Sequence, residues 1–407
     1  MMTTLTKQKS LRLYYQSALA VGAISIFFTD LHLYLNSARY ISFSPALFIA
    51  VFGIASIPLF LSTIKLLPMY LINWCILYIS VSLISFISSD HSEIVLIELQ
   101  TRLFSVVFLI IMSIIFRGNI LISFFARWTV LIVTIINVIN NFIELLNPSI
   151  FAELNDTYRP SGFYVDPNKS GCALMLGMIF SITLLPQKYR IPFSLLTGVG
   201  IILTFSRGAI ISWLSVIMIL IIQRKIAIKQ LLIFGIITGA IILLMGSIGS
   251  VFLNTGVLED IISSNNNING RLAWLQDPSS SDSNSDISRL LVVEFALQKF
   301  AENPFLGNGI AYTQEWGEIR THNMYLLLIV EHGFLAVLLM PLLILAVTHS
   351  PKIKTKDIAF TFAFFIMLWG IFSHRVFEER YILIMFSLMS AINMNSQLKP
   401  PPFHPKI

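Results

Sequence analysis

The chemistry that this sequence could carry out is first visible at Arg207, which stands in the stretch LTFSRGAIISWL between two apolar runs. Ser206, Arg207 and Gly208 must make the whole connection between these runs, or else the guanidinium lies at membrane depth, where an unpaired charge is costly. A guanidinium suits phosphate because its planar fork donates two parallel hydrogen bonds and stays charged. Arg207 is therefore a candidate phosphate ligand. The alternative is an arginine that reaches lipid headgroups or pairs with a nearby acid.

Other arginines lie in polar or interfacial stretches and could act together with Arg207. They are Arg159, Arg289, Arg375 and Arg380. Several such side chains near one membrane surface would hold a diphosphate. Arg289 precedes LLVVEFALQ, an amphipathic helix pattern whose apolar face could dock on other helices and carry the guanidinium over a cavity.

Histidine could supply the other half of a transfer reaction, because imidazole takes up a proton near neutral pH. His322 precedes Asn323 at the start of THNMYLLLIVEHGFLAV, where a polar loop returns to an apolar segment. We predict that His322 is a general base, against the alternative of an interfacial anchor. Glu331 lies about 13 Å further along a helix, so we expect it to pair inside a helix bundle. We expect its neighbour His332 to be structural.

The composition indicates whether these groups lie in a soluble or a membrane protein. Of 407 residues, 56% are hydrophobic and 12% are charged, and the mean hydropathy is +0.80, whereas soluble domains carry about 25% charged residues. The expected fold class is therefore all-α, a polytopic membrane helix bundle. Since a transmembrane helix needs about 20 mostly apolar residues, the sequence predicts about twelve of them. They lie near 13–29, 42–63, 67–89, 103–116, 119–146, 170–186, 190–205, 208–223, 230–252, 323–348, 358–373 and 380–395.

The basic residues predict the orientation, because Lys and Arg accumulate in cytoplasmic loops. With the N-terminus inside, a single acid, Asp357, falls in the cytoplasmic segments. The basic residues there are Lys7, Lys9, Arg12, Lys65, Arg117, Lys188, Arg190, Arg224, Lys225, Lys229, Lys352, Lys354, Lys356, Lys399 and Lys406. We therefore expect both termini in the cytoplasm and the candidate site on the opposite side. The net charge of +6 is too weak to indicate a nucleic-acid partner.

The expected organisation has three consecutive parts. Residues 1–252 hold transmembrane helices 1 to 9 with an external loop near 147–169. Residues 253–322 form a large external loop, which begins with a Ser/Asn/Asp-rich tract typical of a flexible surface segment and ends with the amphipathic helix. Residues 323–407 hold transmembrane helices 10 to 12 and a short cytoplasmic tail.

Several stretches resemble, in order, the motifs of the O-antigen ligase and polymerase family, membrane glycosyltransferases that act on undecaprenyl-diphosphate-linked glycans. SGFYVDPNKSGCALML is similar to that family's Pro-Asn stretch ahead of a span, and TFSRGAIISWL to its Ser-Arg-Gly motif. AENPFLGNGIAY and THNMYLLLIVEHGFLAV resemble its Asn-Pro-x-x-Gly-x-Gly turn and the following His-Asn. FSHRVFEERY departs from the pattern, since Arg375 stands where many relatives have Asn. The role of His374 is therefore open.

The resemblance implies an inverting transfer, without a metal or another cofactor, at the periplasmic face of a bacterial inner membrane. An acceptor hydroxyl would attack the anomeric carbon of a glycan held on undecaprenyl diphosphate. It further implies the site residues: Arg207 and Arg289 as diphosphate ligands, Arg159 as a third cationic contact, Asn168 as a loop-positioning residue and His322 as the base. Secondary candidates are Glu331, His374, Arg375, Glu378 and Glu379, of which the last two are the next bases to test.

Three functions stay open at the level of the sequence. The Arg-bearing loop at 147–169 and the FSHRVFEER ending favour an O-antigen polymerase, whose acceptor is another lipid-linked repeat unit, with a chain-length regulator as a further expected partner. The single dominant external loop favours a ligase instead. An O-antigen ligase would instead transfer polymer to lipid A-core. A lipid-linked oligosaccharide flippase would also show many spans and intramembrane arginines, but its cations should follow a path that reaches both sides. The expected partners in every case include membrane lipid and a lipid-linked glycan.

Overall fold

The computed structural model describes most of the chain. The described residues are 2–38, 40, 44–147, 150–151, 159–227, 235, 239, 284–314, 316, 321–349 and 353–395. Apart from residues 235 and 239, the ninth expected span, near 230–252, and the first part of the expected large loop, 253–283, lie outside them.

The described residues form helices and no strands. The α-helices are α1 (Met2–Ala23), α2 (Leu31–Ser37), α3 (Pro45–Thr63), α4 (Met69–Ile87), α5 (Glu93–Phe116), α6 (Ile120–Leu146), α7 (Pro167–Ser181), α8 (Gln187–Leu203), α9 (Arg207–Ile222), α10 (Asn284–Glu302), α11 (Met324–His332), α12 (Leu339–Thr348), α13 (Ile353–Phe372) and α14 (Arg380–Asn395). A π-helical turn, Ile24–Phe28, continues α1.

Five of the described stretches are long and apolar enough to cross a membrane, and they carry large exposed side chains such as Ile87 and Ile132. These stretches are Ser10–Phe28, Met69–Ile87, Glu93–Phe116, Ile120–Leu146 and Thr355–Phe372. Shorter apolar helices cover Pro45–Phe60, Arg207–Ile222 and Phe334–Thr348. An all-helical, multi-pass membrane protein is thus confirmed, while the number of twelve spans stays a prediction.

The chain divides into two compact units. The first contains Met1–Asn36, Ile41–Val130 and Phe295–Ile407, and the second contains Ser37–Tyr40 and Leu131–Glu294. Each unit carries some of the residues singled out in the sequence.

In the first unit, α5 packs against α3, α4 and α14. The indole nitrogen of Trp74 donates to the carbonyl oxygen of Leu339 over 2.8 Å, which ties α4 to α12. Asn395 closes the far end of α14, since its side-chain amide donates to the carbonyl oxygens of Phe116 and Asn119 and to Ser123 Oγ. These helices form the scaffold for the polar cluster described below.

Two predicted spans of the first unit differ from the observed helices. The expected span 103–116 is the second half of α5, which begins at Glu93, because Glu98 and Arg102 satisfy each other and their neighbours inside the helix. The expected span 323–348 is interrupted at Gly333, whose φ is +81°. A 3-10 helix over Phe334–Leu338 then leads into α12, so this stretch is two short helices instead of one.

In the second unit, α7, α8 and α9 pack against one another through glycines that let the helices approach closely. A Cβ at Gly198 would lie 2.1 Å from the Trp213 ring, and one at Gly171 would lie 2.7 Å from the Cβ of Ala209. Small residues of this kind are typical of helix contacts in membranes, where close packing replaces the hydrophobic effect. The contact fixes where α9 begins, and Arg207 is its first residue.

Candidate functional site

The first unit carries His322 just ahead of α11. Asn323 caps this helix, since its Oδ1 accepts from the backbone N–H groups of Tyr325 at 2.9 Å and Leu326 at 3.2 Å. Asparagine favours this position because its side chain satisfies amides that have no partner within the helix. The His-Asn pair of the sequence therefore places an exposed imidazole at a fixed helix start.

A second histidine faces His322. The rings of His322 and His374 lie 5.5 Å apart between centroids and meet edge to face at 68°. His374 belongs to the turn between α13 and α14. The structure thus brings together the predicted base and the histidine whose role the sequence left open.

A small pocket lies beside these histidines, with room for about one water molecule. Its lining combines carboxyl, amide, hydroxyl, imidazole and guanidinium groups with one apolar wall. The lining residues are Glu98, Thr313, Gln314, Thr321, Leu327, His374, Arg375 and Glu378. Three of the predicted secondary candidates, His374, Arg375 and Glu378, are therefore part of one site.

Two carboxyl groups meet at this pocket. The Glu378 and Glu98 carboxyls are hydrogen-bonded to each other, which requires a shared proton. Glu98 Oε1 accepts from Arg102 Nε and Glu98 Oε2 from Gln314 Nε2, so the proton belongs to Glu378. Burial first, and the Glu98 charge next, raise the pKa of Glu378 to about 8 against the opposing charges of Arg102 and Arg375.

Arg102 holds the polar groups behind the pocket together. Its Nε contacts Glu98 Oε1 at 2.8 Å and its Nη2 contacts Glu331 Oε2 at 2.6 Å, and these side chains are almost fully buried. Thr313 Oγ1 donates to the other Glu331 oxygen at 2.7 Å. The expectation that Glu331 pairs inside the bundle is thus confirmed, and Arg102 is the partner.

His332 is fully engaged in the same network. Arg102 Nη1 hydrogen-bonds to His332 Nε2, and because a guanidinium can only donate, Nε2 must accept. The imidazole proton then lies on Nδ1, which donates to Ser85 Oγ. A buried imidazole with both nitrogens occupied cannot accept a substrate proton, so the geometry supports the structural role expected for His332.

The turn after α10 docks on the end of α11 through its backbone. Helix α10 ends at Glu302, before Asn303-Pro304, as the pattern predicts. Asn308 N donates to the Val330 carbonyl at 2.8 Å and Gly309 N to the Glu331 carbonyl at 3.1 Å. A Cβ at Gly307, where φ is +74°, would lie 2.3 Å from the carbonyl carbon of Glu331. This turn requires glycine because the backbone of α11 passes directly against it.

The second unit carries Arg207 at the first position of α9. Ser206 caps this helix by accepting from Ala209 N, and its hydroxyl donates to Asn168 Oδ1 over 2.8 Å. Arg159 is buried and donates from Nε and Nη2 to the Thr204 carbonyl oxygen at 3.0 and 2.7 Å. The side chains of Asn168 and Arg159 thus both hold the backbone that leads to Arg207.

Glu144 holds the start of the loop that carries Arg159. Its Oε2 accepts from the backbone N–H groups of Ser161 at 2.7 Å and Gly162 at 2.6 Å. Of the remaining predicted site residues, Arg289 lies in α10, with its side chain outside the described part of the structure. Glu379 is buried just before α14, where its backbone N–H donates to the Arg375 carbonyl at 3.0 Å.

The sequence patterns did not single out three charged residues that are buried within long helices of the described structure: Glu98, Arg102 and Glu144. Each stands inside a long apolar helix, and an ionisable residue in such a helix is rare unless it has a partner or a function. This rule predicts that each of the three has a partner or a function. It does not identify all of their partners, because Arg102 pairs with nearby Glu98 but also with Glu331, which is distant in the sequence.

The helices and the buried polar cluster first define a class, a multi-pass membrane protein with charged side chains enclosed among apolar helices. Residues 192–341 match the family model described as O-antigen ligase, a segment that includes Arg207, the glycine-rich turn and His322. Over this segment the chain is similar to that family, in agreement with the motifs. No curated protein matches the chain.

Proposed function

We propose that the chain is an inverting, metal-independent glycosyltransferase of the periplasmic face of the bacterial inner membrane. It transfers a glycan from undecaprenyl diphosphate to an acceptor hydroxyl. The observation that carries the proposal is the exposed His322 held at a capped helix start, with the His374 ring 5.5 Å away and a carboxyl-lined pocket beside them. A residue that activates a hydroxyl needs this combination of a fixed position, an accessible imidazole and polar neighbours.

At the anomeric carbon the reaction forms one bond and breaks one, and a proton moves from the acceptor hydroxyl to His322. The acceptor oxygen attacks the anomeric carbon from the side opposite the diphosphate, the bond from that carbon to the diphosphate oxygen breaks, and the configuration inverts. The hydroxyl proton goes to His322, and undecaprenyl diphosphate leaves with the bonding electrons. Fixed cations stabilise the charge that develops on such a leaving group.

Arg207 and Arg289 are the proposed ligands of the diphosphate. Arg207 suits this role because α9 begins at it, so the guanidinium is accompanied by the N–H groups and positive dipole of a helix start. Arg159, which we expected as a third cationic contact, acts in our proposal mainly by holding the Thr204 carbonyl and thereby the Arg207 backbone. Asn168 does the same through Ser206.

The acceptor distinguishes two forms of this function. We favour a polymerase, in which the acceptor is a second lipid-linked repeat unit and a chain-length regulator protein is a further partner. A ligase, which transfers polymer to lipid A-core, is the second candidate, and the similarity of residues 192–341 to the O-antigen ligase family favours it. The lipopolysaccharide ladder of a deletion strain separates them: a single-repeat band indicates a polymerase, and bare core with accumulated lipid-linked polymer indicates a ligase.

The function is tested by His322→Ala and Arg207→Ala in transfer from purified lipid-linked repeat unit. Loss of a general base lowers a rate by about 10²–10⁴-fold, so His322→Ala should abolish most transfer while leaving donor affinity nearly intact. Arg207→Ala should weaken donor binding as well as transfer, because it removes a diphosphate contact.

The matched control is His349→Ala, which removes an exposed histidine that lies against Tyr70 and outside the site. It should keep wild-type transfer at equal membrane abundance. If His322→Ala retains more than about a tenth of the rate, the base is another residue, and no transfer by the wild-type chain would refute the proposed function itself.

A further inference from the structure

Thr321 carries a buried hydroxyl that the reaction described above does not use. Its side chain is 2% exposed and lines the pocket beside His374. Among the residues that the structure describes, Thr321 Oγ1 meets no hydrogen-bond partner. A buried hydroxyl without a partner is unfavourable, so this one is expected to bond to a molecule that enters the pocket.

The chemistry of the pocket limits what that molecule can be. Arg102 and Gln314 each donate a hydrogen bond to one oxygen of the Glu98 carboxylate. This carboxylate lies next to the protonated Glu378. A phosphate group would meet two carboxyls here, whereas a neutral hydroxyl can accept from one group and donate to another. Leu327 adds an apolar wall, and the room for about one water molecule admits a single hydroxyl group while the sugar ring stays outside the pocket. The lining therefore suits a neutral polyol better than a phosphate.

We propose that this pocket is a subsite for a hydroxyl of the acceptor sugar, with Thr321 Oγ1 as a direct hydrogen-bonding partner. The subsite rests on the proposed function, and it deepens that function by separating acceptor recognition from diphosphate binding. Thr321 is adjacent in sequence to His322, and both precede the Asn323 cap. A sugar held by Thr321 is thus held by the same rigid helix start as the proposed base.

The test compares Thr321→Val with Thr321→Ser. Valine keeps the shape and removes the hydroxyl, and serine keeps the hydroxyl. Initial rates are measured with purified lipid-linked repeat unit as donor, while the acceptor that the deletion-strain ladder identifies, repeat unit or lipid A-core, is varied. A neutral hydrogen bond contributes roughly a twofold to tenfold change in binding, so Thr321→Val should raise the acceptor KM by that factor. The kcat and the donor affinity should stay within about twofold.

A merely structural role makes the opposite prediction for stability. Because Thr321 Oγ1 has no partner in the described structure, Thr321→Val should leave the melting temperature in detergent unchanged or raise it. The control is Thr348→Val, which loses a bond to the Ile344 carbonyl and should leave the acceptor KM unchanged.

The outcomes separate the two proposals. A raised acceptor KM in Thr321→Val that Thr321→Ser reverses supports the subsite. Wild-type acceptor KM in Thr321→Val, with transfer intact, overturns the subsite alone and indicates that the hydroxyl meets an ordered water only. A wild-type chain that transfers nothing overturns the proposed function and the subsite with it.

Discussion

At the residue scale, the pocket is organised by a proton shared between two carboxyls. Glu98 accepts from Arg102 and Gln314, so its own ionised state is fixed by donors on both oxygens. Within the described part of the chain, Glu378 lacks a comparable set of donors, and Arg375 Nε lies 3.8 Å from its nearest oxygen. The proton therefore belongs to Glu378, and the pocket presents one neutral and one charged carboxyl at neutral pH.

This arrangement predicts how the stability depends on pH. The pKa of Glu378 is raised from 4.5 to about 8, by burial first and the charge of Glu98 next. Between these two values the folded chain holds a proton that the unfolded chain has lost, so the free energy of unfolding falls as pH rises through this window. Below about 5 and above about 8 the contribution of Glu378 is flat.

Glu378→Gln should remove this part of the pH dependence, because the amide is neutral at every pH. The measurement is the melting temperature in detergent of wild type and variant from pH 5 to pH 9. The variant should gain stability relative to wild type across the window, by an amount that grows with pH. Glu302→Gln, which changes an exposed carboxylate paired with Lys299, should give a constant difference. A Glu378→Gln curve parallel to wild type would show that Glu378 is ionised throughout.

At the element scale, the sequence predicted the helices better than the contacts between them. Helix α9 begins at Arg207 and α10 ends at Glu302, close to where caps and proline place them. The sequence also indicated that Glu331 pairs inside the bundle. It could not indicate the partner, Arg102, because that contact joins residues 229 positions apart and no local pattern encodes it. For the same reason, α11 was expected to be part of one long span.

The interruption after α11 follows from the backbone of the neighbouring turn. Position 333 requires glycine, because φ is +81° there and an added Cβ would lie 2.1 Å from the Phe305 carbonyl oxygen. Phe334 N donates to the Pro304 carbonyl at 2.9 Å. The turn and the helix end are thus bonded to each other in place of a continuing helix. Thr313 and Gln314 follow the same turn, which sets their positions at the pocket.

Gly307→Ala should therefore destabilise the chain by more than the cost of its left-handed backbone conformation alone. Gly118→Ala measures that strain, because Gly118 also has a positive φ, +110°, but no atom lies within 4 Å of an added Cβ. A left-handed conformation costs a non-glycine residue about 1–2 kcal/mol, and the contact with the Glu331 backbone should add about 1–3 kcal/mol at Gly307. Equal melting temperatures for the two variants would show that the turn does not press on α11.

At the scale of the whole molecule, charge and hydropathy determine the expected orientation. The described apolar helices indicate a chain that crosses the membrane repeatedly, and the sorting of Lys and Arg assigns a side to each connection. The connection between α4 and α5 contains Asp90 and lacks Lys and Arg, whereas the one between α7 and α8 leads to Lys188 and Arg190. These two connections should face opposite sides.

Cysteine reporters at Asp90 and Gln187 test this orientation, because both residues are exposed. The native thiols, Cys75 and Cys172, are buried at 3% and 0% exposure, so replacing them with alanine gives a silent background at little risk to surface structure. In intact cells with a permeable outer membrane, an impermeant maleimide should label Asp90→Cys and leave Gln187→Cys unlabelled.

Gln187→Cys should react only after the inner membrane is opened, which controls for access to the reporter. Labelling of Gln187→Cys in intact cells would reverse the orientation, and with it the periplasmic placement of the proposed reaction, since the loops that carry Arg207 and His322 are assigned to a side by the same sorting of charge.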